Sequence, residues 1–156
     1  MATPKVILLE GSALSHTGVA TVAITPGMLV SRGAAGISKH STAGGNAQPL
    51  FADFQDYVGK GITTACAVSD LIPFMRPQAG AVVYAYVAAA ASAITDGDPL
   101  ESDGLGGLRK HTPVSVVESG SATKPIYADV IVAYARESVD NSAGAAYTRI
   151  RAEIAK

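Results

Sequence analysis

The 156-residue chain has no tryptophan, a single cysteine and few charges: Asp, Glu, Lys and Arg together make up 16% of it. Aromatic residues are 6%, a poor supply for the stacking platforms of a carbohydrate site. The lone Cys66 excludes an intramolecular disulfide and fits synthesis in a reducing compartment, the cytoplasm. It sits in Ile62-Thr63-Thr64-Ala65-Cys66-Ala67-Val68, where no charge acts to lower a thiol pKa, so a small buried side chain is expected rather than a nucleophile. With 12 Lys and Arg against 13 Asp and Glu, and no basic cluster to follow a phosphate backbone, no nucleic-acid partner is expected. Val6–Leu9 is too short for the core of a signal peptide. The longest apolar stretch, Ala81 to Ala91, falls short of the roughly 20 residues that cross a bilayer, so no membrane partner is expected.

What is abundant is apolar and small: hydrophobic residues reach 48%, and there are 16 glycines. One domain of this length can bury about two thirds of its unfolded surface, and no second domain is needed. With so few charges the outer surface must be polar-neutral or apolar, and an apolar surface is usually covered by a partner or another copy.

Apolar runs of four to ten residues alternate with turns such as Thr25-Pro26-Gly27, Gly44-Gly45-Asn46, Asp96-Gly97-Asp98-Pro99 and Asp103-Gly104, a punctuation that favours short strands. Strands are expected over Tyr127–Ala135, over Val82–Val87, and over Tyr147–Ile154, where Ile150, Ala152 and Ile154 alternate with Arg149, Arg151 and Glu153. Residues 137–143 read as a loop. Residues 1–18 read as an extended N-terminal arm, because Val6–Leu9 is cut off from the strands beginning near Val19 by Gly11, Ser12, Ser15 and Gly18. Residues 19–156 then form the single β domain.

One internal repeat is visible. Ile24-Thr25-x-Gly27 recurs as Ile94-Thr95-x-Gly97, and Gly33-x-x-Gly36-Ile37-x-Lys39-His40 recurs as Gly104-x-x-Gly107-Leu108-x-Lys110-His111. Two copies about 70 residues apart do not make a solenoid; a duplicated β-hairpin is the simpler reading.

No motif carries catalytic chemistry. Gly59-Lys60-Gly61 and Gly104-Leu105-Gly106-Gly107 lack the spacing of phosphate loops, and no G-x-S-x-G elbow presents a serine. Asp96, Asp98, Glu101 and Asp103 are the densest acidic group, but they lack the EF-hand pattern and read as a solvated turn rather than a metal site. His16, His40 and His111 are far apart in sequence and are expected to be exposed in loops. Neither an enzyme nor a cofactor is expected.

Three runs form a recognisable set: Tyr57-Val58-Gly59-Lys60-Gly61-Ile62, Gly80-Ala81-Val82-Val83-Tyr84-Ala85, and Ile94 through Gly104 with Gly107-Leu108. With the ending Ala135-Arg136-Glu137-Ser138-Val139-Asp140-Asn141 and Arg149 through Ile154, the chain resembles the head decoration, or capsid cement, proteins of tailed bacteriophages. The resemblance runs over about Val19 to Ile154 and consists of glycine turns and apolar strands. It implies a mainly β fold, a small β-barrel or β-tulip-like domain with an extended N-terminal arm, assembling as a homotrimer. It also implies a place on the outer capsid surface of the virion, with the major capsid protein as partner. On that reading the arm residues Thr3, Pro4, Lys5, Val6, Ile7, Leu8 and Leu9 would add to a capsid sheet edge. The rival readings are another virion component, such as a tail tube or fibre base, and a small-ligand or carbohydrate-binding β-barrel.

Overall fold

The structure is a computed structural model that describes residues 4–118, 122–126 and 130–156. It is mainly β, with no α-helix among the described residues and a single 3₁₀ turn at Asp56–Val58. The strands are β1 Leu8–Glu10, β2 Ala13–Val19, β3 Val30–Gly33, β4 Gly36–Lys39, β5 Phe51–Ala52, β6 Leu71–Pro77 and β7 Val82–Val87. They continue with β8 Pro99–Ser102, β9 Leu108–Lys110, β10 Val114–Glu118, β11 Ala122–Ile126, β12 Ala133–Ala135 and β13 Thr148–Ile154.

Five of these close into a barrel in the order β7-β13-β12-β8-β9 and back to β7. A ring of strands that alternates direction needs an even number of members, so five strands must leave one neighbouring pair running the same way. That pair is β7 and β9, parallel through Val87 and Leu108, while the other four contacts are antiparallel. The alternation expected of the last strand is present: Ile150, Ala152 and Ile154 point inward beside Val83, Ala85 and Val87, while Arg149, Arg151 and Glu153 point out. Leu100, Leu108, Ala133 and Ala135 complete an interior filled by side chains.

The edge of β7 facing away from β13 is shared by three separate parts of the chain. The amides of Tyr84, Tyr86 and Ala88 donate in turn to the carbonyls of Ile7 at 2.7 Å, Gly27 at 3.1 Å and Leu108 at 2.9 Å. Each donor lies two residues from the last, as the strand period requires.

Outside the barrel lies a second layer made of the β2-β6-β5 sheet and the β3-β4 hairpin. It covers its own core of Ile24, Val30, Ile37, Ile72 and Phe74, against which Tyr86 packs from the barrel's outer face. Arg149 packs on the barrel's outer face: its guanidinium carbon sits 4.3 Å from the Tyr86 ring centroid and 5.4 Å from that of Tyr84, and Nη2 donates to the Ile62 carbonyl.

The sequence repeat is a structural one. In both copies an isolated antiparallel bridge, at Ile24 and at Ile94, leads into a turn whose third residue is a glycine with φ of +88° and +89°, and then into a hairpin. The amides of His40 and His111 then donate to the matched carbonyls of Leu29 and Pro99. The strand expected over Tyr127–Ala135 is shorter among the described residues: 127–129 lie outside them, and of 130–135 the strand takes in Ala133–Ala135. The strand beginning at Val82 ends at Val87 as expected, and Ala90 (φ 51°) turns the chain beyond it.

Candidate functional site

Residues 4–18 are not a free arm. Ile7 is wholly buried in the barrel core, and its carbonyl accepts from Tyr84. Leu8–Glu10 pairs with β7, and Ala13–Val19 pairs along its whole length with β6. No boundary falls at residue 18, since β2 runs through Val19. The reason is local: Gly11, read as a break, has φ of +86°, and a Cβ there would lie 2.9 Å from Ala81. It forms a tight corner that sends the chain from the barrel to the second layer, and Ser12 anchors it through its side chain and carbonyl to Gln78. Of the seven arm residues singled out, Thr3 lies outside the described residues, Pro4 is half-buried, Lys5 and Val6 are exposed, and Leu8 and Leu9 are half-buried.

The four acidic residues do not converge; they go to different partners. Asp98 accepts from the Thr95 amide and pairs with Lys110 at 2.8 Å, and these contacts, the lysine first, hold its carboxyl below the usual range. Glu101 is buried between Arg109 and His111. Asp103 takes the Leu105 and Gly107 amides on one oxygen and the Tyr147 hydroxyl on the other. Asp96 is exposed, with its amide on Ser138 Oγ. Together these contacts brace the second hairpin of the repeat.

Two of the three histidines depart from expectation. His40 and His111 are buried: His40 Nδ1 lies 2.7 Å from Ser102 Oγ, and His111 Nδ1 lies 2.6 Å from Glu101 Oε2. Adjacent residues of β8 therefore hold both histidines of the repeat. Ser102 is fully buried and its Oγ also accepts from the Gly104 amide, so the Ser102–His40 pair has no access for a substrate. His16 is exposed on β2, stacked on Phe74 with centroids 5.4 Å apart. Cys66 is buried as read from sequence, and burial pushes its thiol up.

What the surface offers is apolar side chains and an open strand edge. Leu14, Val19, Tyr57 and Leu71 are exposed; Val19 and Leu71 are direct cross-strand partners, and the Tyr57 hydroxyl donates to the Leu71 carbonyl. β2 forms one edge of the β2-β6-β5 sheet; at its end the outer side meets β4, where Ala20 bridges Ile37 and the Thr21 amide donates to the Ile37 carbonyl, so the open part of the edge is residues 13–17. Its even-numbered neighbours turn towards β6, since Gln78 donates to Ser12 and Ala20 donates to Asp70. The amides and carbonyls of Ser15 and Thr17 must then point away from β6. Sequence reading missed this edge because it assigned the segment to the arm. The signal was there in the uncharged run Ala13-Leu14-Ser15-His16-Thr17-Gly18-Val19, which has none of the lysines or prolines that usually guard an edge. A separate open cleft of about 500 Å³ lies between Ala88–Ser92 and Arg109, Lys110 and Tyr147. The sequence matches no protein-family model and no curated protein.

Proposed function

We propose that the protein is a structural component of a tailed-phage virion that decorates the outside of the capsid and clamps neighbouring capsid subunits. The observation that carries this reading is the open, uncharged edge of β2 beside the exposed Leu14, Val19 and Leu71, a surface suited to being covered. The buried carboxylates and histidines are taken up in holding the duplicated hairpin, and the filled barrel leaves its interior to side chains. Capsid contact passes from the N-terminal residues to this edge, because Ile7 and Leu8 are already committed within the chain. A homotrimer multiplies weak edge contacts through effective concentration on a lattice of repeated sites.

The test is sedimentation of the purified protein with expanded phage heads stripped of decoration, followed by electron microscopy. Saturable binding at fixed lattice positions on the outer surface is the expected result. Failure to bind heads, or recovery only in tail structures, overturns the proposal. Light scattering should return a trimer at micromolar concentration.

A further inference from the structure

We infer that the open edge of β2 receives an extended polypeptide segment bearing acidic side chains, which adds as a fourth strand to the β2-β6-β5 sheet with its carboxylates against Arg32 and Arg76. The inference deepens the capsid reading, on which that segment belongs to a capsid subunit.

Three observations carry it. First, Ser15 and Thr17 present amides and carbonyls outward, and among the described residues no hydrogen bond reaches them from that side; β4 closes the edge only beyond them, at Ala20 and Thr21. An added strand gains main-chain hydrogen bonds there without disturbing β6. Second, two cations stand beside the edge. Arg32, from the β3-β4 hairpin, lines an open recess of about 450 Å³ with Ser15, His16, Thr17 and Pro73. Arg76 is the cross-strand partner of Leu14 and lines a second recess with it. Neither guanidinium has a carboxylate partner among the described residues. Arg76 shares the face of Leu14 and His16, and Arg32 is the cross-strand partner of Ile37 in the core below that face, so alternate side chains of one added segment can answer both. Third, β2 carries no charge, so it neither repels an incoming strand nor selects its sign. One carboxyl, Asp53, lines the neighbouring recess with Ala13 and Ser15 and accepts from the Phe54 amide.

A second copy is the poorer occupant. Antiparallel pairing of β2 with itself through Ser15 and Thr17 would set His16 opposite His16 and bring the arginines of both copies together.

The test uses the full chain, with amide hydrogen exchange followed by NMR. The probe is the capped peptide Thr-Val-Glu-Glu-Val-Glu-Val-Thr, and the control has lysine in place of each glutamate. The acidic peptide should slow exchange at Ser15 and Thr17 by about tenfold at nine-tenths occupancy, and the lysine peptide should not. Arg32→Glu should reverse this preference. Thr17→Pro removes an amide that β6 does not use, so it should abolish peptide binding while the protein stays folded; if it fails to fold, the Arg32→Glu comparison still decides. Unchanged exchange at millimolar acidic peptide, or equal response to both peptides, overturns the inference. Protection that grows with protein concentration alone overturns it in favour of a second copy. No head is needed for these measurements, so peptide binding without head binding refutes the capsid reading alone.

Discussion

His111 Nδ1 stands 2.6 Å from Glu101 Oε2, with both side chains almost wholly buried. A carboxylate only accepts, so Nδ1 carries the proton in this contact. The other oxygen, Oε1, takes Arg109 at 2.9 Å through Nε and 2.8 Å through Nη2. Glu101 thus fastens the middle of β9 and the residue just past its end to β8 from a single position.

Glu101→Gln should therefore destabilise strongly, since it leaves a buried pair half-broken at a cost of about 3 kcal/mol. Thermal unfolding is the check, with a fall in Tm of roughly 6–12 °C expected. A change within 1–2 °C, about the size of a surface substitution, would mean that the cluster contributes little.

Gly27 and Gly97 offer a matched comparison. Both have the same left-handed φ at the same turn position, but a Cβ on Gly27 would lie 2.7 Å from the Tyr84 carbonyl and 2.5 Å from Arg149 Nη1, whereas one on Gly97 meets nothing within 4 Å. Gly97→Ala should cost only the conformational penalty, about 1–2 kcal/mol. Gly27→Ala should cost more, because the Tyr84 backbone cannot yield without loosening the β7 edge. Equal losses in denaturant unfolding would show that the two layers separate freely at that point.

Removing residues 2–10 should markedly lower the unfolding midpoint, because it takes Ile7 out of the core and uncovers the Tyr84 amide. Loss of one buried Ile side chain alone costs about 2–5 kcal/mol. A truncated chain with unchanged Tm would mean that these residues are dispensable to the fold after all.

Tyr147 gives a pH signature. Burial, followed by its hydrogen bond to Asp103, raises its phenol to about 12. The neutral phenol is the donor here, so its contribution is complete below the ordinary tyrosine pKa near 10 and is lost as pH rises towards 12. Ultraviolet titration should show a late tyrosine step that Tyr147→Phe removes. The same variant should lower stability at neutral pH by about 1 kcal/mol.

Local chemistry was legible in sequence, while long-range partnership was not. The alternation at Ile150, Ala152 and Ile154, and the matched glycines at 27 and 97, are written in neighbouring residues, so their pleat and turns could be read directly. The burial of His40 depends on Ser102, and the pairing of Leu8 depends on Val83; nothing near either residue announces the partner. Gly11 misled for the same reason. A glycine that ends an element and one that turns a corner against Ala81 look alike until Ala81 is in place. The edge of β2 was hidden by the same error, since it becomes an edge only once β6 is known to lie on its other side.

The shared margin of β7 also governs the order in which the molecule can be completed. Ile7 and Gly27 wait on amides from Tyr84 and Tyr86, so a chain emerging N-terminus first carries its opening strand unpaired until the middle of the sequence has been made. The barrel then needs β13, at the far end, to cover the opposite margin of the same strand. Closure is consequently a late, collective event built on distant pairings, the kind that folds slowly. Until then β7 has bare hydrogen-bonding groups on both sides, which makes Val82–Val87 the stretch most exposed to pairing with another nascent chain.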